Sequence, residues 1–185
     1  MFTKQSGNTA ENIVGGDQQL HVTNNYVPPS ILAPLYKRLR EADANQPANE
    51  HIVEQLRHYC SVDSDGDIRG LEEKLKDSER QDLLLMATKL KEAASMKIMK
   101  WQTSGVAQEI ITSILAHIHT AFTLHVVPIV QAGGSRIEVD QVISEKVIKP
   151  TETMLGDNDL VLTHVDLLGM LFFLGGNCHV RWDKC

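Results

Sequence analysis

The chain has 185 residues, 42% hydrophobic and 23% charged, with a formal net charge of −6. That is enough chain to bury the core of one domain. The acidic balance, with only 5% aromatic residues, argues against direct nucleic-acid binding, which favours a basic surplus and stacking platforms.

The opening MFTKQSGNTAEN lacks the apolar core of a signal peptide. Cys60, Cys178 and Cys185 are an odd, scattered set, so a reduced cytoplasmic setting is expected. Residues 1–28 are rich in Asn, Gln, Gly and Thr, with short β-prone pieces at Ile13-Val14 and His21–Thr23. They read as a flexible or strand-adding leader ahead of a single helical interaction domain over 29–185. The IVGG within the leader has the form of an activated trypsin-like N-terminus. No GDSGG follows it, so the match carries no chemistry.

From Ser30 the pattern is helical. Pro28-Pro29-Ser30 starts a helix in which Leu32, Leu35, Tyr36 and Leu39 recur at three and four. A second helix is predicted over about 48–59, with Ile52, Leu56 and Tyr59 on one face. A third is predicted over 79–101, striped by Leu83, Met86, Ala87, Leu90, Ala94, Ile98 and Trp101. Gly105 separates it from a fourth, striped by Ile111, Ile114, Ile118, Phe122 and Val126. Residues 110–130 are apolar enough to raise a membrane question. Three histidines, several threonines and Pro128 favour a buried helix instead, and no membrane is expected. A fifth helix opens on the Ser135–Glu138 capping box and is expected to stop near Pro150. Thr163–Asp166 caps a sixth, with Gly175-Gly176 as its left-handed exit and 178–182 as a closing strand. The fold class is mainly α, five to six helices with short β-strands near both termini.

Three groups of residues are candidates for chemistry. Asp63, Asp65 and Asp67 alternate like calcium ligands, but an EF-hand needs Gly sixth and Glu twelfth, where this chain has Ile68 and Lys74. An acidic turn capping a short helix fits better. His117 and His119 point apart on a helix, and none of the histidines there has the i, i+4 zinc spacing. They read as partly buried flanks of the apolar stripe. Cys178, His179 and Cys185 offer too few soft ligands for structural zinc. Adjacent Cys178 and His179 on a strand face opposite ways and cannot form a nucleophile–base dyad. Cys178 reads as a small buried hydrophobe and Trp182 as an anchor against a helix. No catalytic residue, metal site or cofactor is assigned.

NIVGGDQ, NNYVPPS, GLEEKL, AQEI and above all GMLFFLGGNCHVRW resemble, over about 12–182, the C-terminal domain of bacterial ABC-three component systems. These are conflict systems similar to the Lamassu type of antiphage defence. The resemblance implies a non-enzymatic adaptor that tethers an effector to an ABC or SMC-like ATPase and a middle component. The chain departs from that layout in starting at the leader, with no effector domain ahead of it. A calcium- or zinc-responsive regulatory domain is the alternative. An interaction module needs apolar anchors and an edge that partners can extend. Ile13, Val14, Gly15, Gly16, Leu20 and Val22 supply such a stretch, expected to dock on a partner subunit or on a second copy of the chain.

Overall fold

The computed structural model describes residues 30–41, 47–62, 69–156 and 158–183. Among them are seven helices and no strand. The helices are α1 (Ala33–Glu41), α2 (Glu50–Cys60), α3 (Leu71–Asp77), α4 (Leu84–Lys100), α5 (Gly105–Gln131), α6 (residues 136–155) and α7 (His164–Gly176).

Their starts are chemically marked. The side chains of Asn49 and Ser104 accept backbone N–H bonds at the heads of α2 and α5. Ser135 with Glu138, and Thr163 with Asp166, form complete capping boxes on α6 and α7, as the sequence predicts. Helix α4 begins later than the expected residue 79, because a 3-10 turn at Gln81–Leu83 leads into it.

Three chain reversals are Schellman turns. After α3, Arg80 N–H bonds to Leu75 O and Glu79 N–H to Lys76 O. After α5, Gly134 bonds to Ile129 O and Gly133 to Val130 O. After α7, His179 bonds to Leu174 O and Cys178 to Gly175 O. The left-handed residue of each turn is Glu79 (φ 57°), Gly133 (φ 79°) and Cys178 (φ 68°).

The last turn corrects two expectations. Gly175 and Gly176 are the last two residues of α7 and not its left-handed exit, which Cys178 makes. Residues 178–182 form no strand, since this turn and the bends after it remove the extended backbone a ladder requires. Gly175 serves close approach instead: a Cβ there would meet the Trp182 ring at 2.6 and 2.7 Å. The expected N-terminal strand pieces lie outside the described residues.

Helix α5 runs through the core, packed against α1, α2, α6 and α7. Its Ile114, Ile118, Phe122, Val126 and Val130 are all buried. So are Val139, Ile143, Val147, Thr151 and Leu155 of α6. Each row repeats strictly every four residues. A regular α-helix advances 100° per residue, so such a row drifts about 40° per step away from its interface. Both helices take out most of the drift with a π turn, Phe122–Val126 in α5 and Ile143–Ile148 in α6, and the two wide turns pack on one another. The i to i−5 bonds are Val127 N–H to Phe122 O and Lys149 N–H to Ser144 O. A proline follows each at once, Pro128 and Pro150. A proline inside an α-helix lacks the N–H and collides with the carbonyl four residues back; the wide turn accommodates both defects. Helix α6 therefore continues five residues beyond the expected stop at Pro150.

Helix α7 is apolar all round and buried from Leu167 to Gly175 apart from Leu168, as befits a core helix. It packs most extensively on α4, where a Cβ on Gly169 would lie 2.6 Å from Leu90 O. Helix α5 is long and apolar enough to cross a membrane, but half of its most apolar window is buried within the protein, the pattern of a core helix.

Candidate functional site

The sequence-assigned docking residues Ile13, Val14, Gly15, Gly16, Leu20 and Val22 lie outside the described residues, as do Asp63, Asp65, Asp67, Ile68 and Cys185. The structure does place Lys74, the twelfth residue counted from Asp63: it is fully buried, and its Nζ donates to Gly175 O at 2.7 Å.

The histidines of α5 part company, as expected of a helix. His117 is half-buried, and burial lowers its pKa below the ordinary imidazole value. His125 is exposed. His119 instead meets the chain's end. The buried ring of His179 lies 4.7 Å from His58, 5.3 Å from Tyr59 and 5.9 Å from His119, centre to centre. Asn177 Nδ2 donates to Tyr59 O at 2.9 Å. These contacts fasten the C-terminal segment to α2 and α5. Among the described residues no three His, Cys, Asp or Glu side chains are grouped to hold a metal ion.

Cys178 is half-buried rather than fully buried, its Sγ 3.6 Å from Arg69 O. Its left-handed backbone explains this, because the turn carries the side chain toward the Arg69 loop rather than into the core. Trp182 is buried edge-on to Phe122 and tilted against Phe172, both at 5.8 Å, the anchoring role the sequence suggested.

Trp182 also borders a wide cleft. The cleft, of about 750 Å³, lies between the α3 reversal, the α5–α6 reversal and the C-terminal segment, with Arg69, Arg80, Arg136, Glu79, Trp182 and Asp183 in its wall. A second pocket of about 250 Å³ shares Arg80, Arg136 and Trp182 with it. That pocket is mostly apolar, reaching Leu83, Ile143, Leu171 and Phe172, with Ser144 and His164 also in its lining. The two openings thus form a polar trough beside an apolar hole.

Ion pairs shape the trough. Arg69 joins Asp77 at 2.5 Å and Asp183 at 2.6 Å. Arg136 grips Asp82 with two bonds of 2.8 and 2.7 Å. That fork holds the Asp82 carboxyl below its usual pKa and raises the guanidinium's. Arg80 differs from both. Its side chain is only 4% exposed, its described side-chain hydrogen bond is to Asp140 through Nη1, and its charge also acts on Asp82 without bonding it. Sequence reading missed this site. Arg80 sits in a turn and Arg136 beside a helix cap, and no spacing brings residues 56 positions apart together.

The sequence model of C-terminal domain 9 of the ABC-three component systems matches residues 70–182. The match contains Arg80, Arg136, Ser144 and Trp182. No curated protein and no solved structure matches the chain.

Proposed function

From the chain's membership of the C-terminal domain 9 family of ABC-three component antiphage systems, we propose that it is a non-enzymatic, cytoplasmic adaptor linking an effector to the ATPase and middle component of such a complex. The observation that carries this reading is the family match over 70–182. A domain of a multi-component system has protein partners, and the trough and apolar pocket offer a surface suited to one. The leader is the proposal's second contact: Ile13, Val14, Leu20 and Val22 alternate as an added strand would, with Gly15 and Gly16 allowing close backbone approach.

The test is co-expression of the system's components with the full chain and with a chain lacking residues 1–28. The adaptor reading expects the full chain to co-purify with the ATPase or the middle component. The truncated chain is expected to keep its helical circular dichroism and melting temperature while losing that partner. A full chain that purifies alone rejects the adaptor reading. A truncated chain that still assembles rejects only the leader's part in it.

A further inference from the structure

We propose that the 250 Å³ pocket between α4, α6 and α7 receives one Leu- or Phe-sized side chain of a partner protein, and that a carboxylate next to that side chain binds Arg80. This rests on the adaptor reading and names the chemistry of its contact.

Size decides the class of occupant. Pockets for small molecules run to about 300–1,000 Å³, and the apolar chamber, at about 250 Å³, falls short of that. A small, mostly apolar recess suits a single interface anchor, the kind of residue that dominates protein–protein binding. The adjoining polar trough of about 750 Å³ gives room for the backbone and polar residues flanking the anchor. A small apolar chamber opening beside a larger polar one suits a peptide segment.

Arg80 decides the chemistry. A guanidinium has five N–H donors in a rigid fork. Arg80 commits Nη1 to Asp140, and its other nitrogens have no partner among the described residues. Its side chain is 4% exposed while Asp140 is 46% exposed, so the cation is largely desolvated and its anion is not. A buried charge is costly unless its hydrogen bonds are completed. Arg80 lines both chambers, so an acid beside the anchor would reach it directly. Arg136, the other shared cation, is already held by both oxygens of Asp82 and has less to offer.

Two variants and a probe test this. Ser144→Trp plugs the half-buried edge of the pocket. Arg80→Met keeps the length of the side chain but removes its charge. Leu124→Trp, on an exposed site of α5 away from the pocket, is the control. In co-purification with the ATPase and middle component, Ser144→Trp is expected to lower captured partner at least tenfold, Arg80→Met at least threefold, and Leu124→Trp not at all. Full capture by folded Ser144→Trp and Arg80→Met overturns the pocket and leaves the adaptor reading standing. No capture by the wild-type chain removes both. Should either variant not fold, the wild-type chain is titrated with N-acetylphenylalanine and with its amide, following the NMR signals of the Trp182 indole and the Ile143 and Leu171 methyls. The acid is expected to shift all three and to bind at least threefold tighter than the amide. Equal binding, or no shift up to millimolar probe, rejects the proposal.

Discussion

Lys74 Nζ donates a 2.7 Å hydrogen bond to the carbonyl oxygen of Gly175, and Lys74 is fully buried. The bond ties the short helix α3 to the C-terminal end of α7, where helix carbonyls lack partners within the regular helix and carry partial negative charge. Lys74→Ala leaves a cavity and takes from the Gly175 carbonyl one of its two donors, the other being Cys178 N–H, and is expected to cost about 2–4 kcal/mol. Lys74→Met fills the space and loses only the donor, and is expected to cost about half as much or less. Denaturant melts of the two variants check the order, and equal costs would mean that packing alone matters there.

The same lysine bears on calcium. The twelfth place of an EF-hand loop must supply a bidentate carboxylate; here it supplies a buried ammonium spent on a carbonyl. Calorimetric titration of the full chain is therefore expected to show no stoichiometric calcium site. One tight site would make Asp63, Asp65 and Asp67 its ligands.

Tyr36 is fully buried in α1, and its hydroxyl has no hydrogen-bond partner among the described residues. Burial first, and the Asp159 charge second, push its pKa from 10.0 up to about 12. A raised pKa means the native state resists ionising, so stability is complete below pH 10 and falls as pH rises toward 12. The loss reaches roughly 2–3 kcal/mol, at about 1.4 kcal/mol per pH unit. Tyr36→Phe is expected to abolish that loss and to be at least as stable at pH 7, read by urea melts at pH 7, 10 and 11.5.

Val161 is 74% exposed at φ 53°, a conformation β-branched residues resist. The turn is held from Asn158, whose Oδ1 accepts Leu162 N–H at 3.0 Å and whose backbone O accepts Val161 N–H at 2.9 Å. Val161→Gly is expected to gain about 1 kcal/mol, a rise of roughly 2–4 °C in melting temperature for a chain of this size. An unchanged or lower melting temperature would show that the strain is absent in solution.

Gly175→Ala would set a methyl 2.6 Å from the Trp182 ring. It is expected to destabilise by about 1–3 kcal/mol and to disturb the near-ultraviolet dichroism of that tryptophan. A silent substitution would mean the C-terminal segment is not seated on α7.

Helix caps and apolar stripes were readable in the chain. Ser135–Glu138 and Thr163–Asp166 each encode a boundary in four neighbouring residues, and local chemistry settles it. The end of α7 was misjudged because two glycines looked like an exit. Packing against Trp182 and Lys91 claims them for the helix, a long-range demand that no local rule registers. The i+4 runs 114–130 and 139–155 were visible as letters, but their meaning as wide turns depends on two helices meeting. The cleft was illegible for the same reason: Arg80, Arg136 and Trp182 come from three separate reversals of the chain.

The paired π turns have a consequence for how this chain can change in length. A π turn is a helix holding one residue more than its neighbours need. Deleting one residue from 122–126 would return α5 to regular winding and rotate its first half by about 100° relative to its second. The apolar row would leave α1 and α2, and Pro128 would lose the opening that admits it. Because the α6 turn packs on the α5 turn, the surplus in one helix is matched by the surplus in the other. Single-residue insertions and deletions should be tolerated here only as compensating pairs, whereas the exposed turns between helices can vary one at a time.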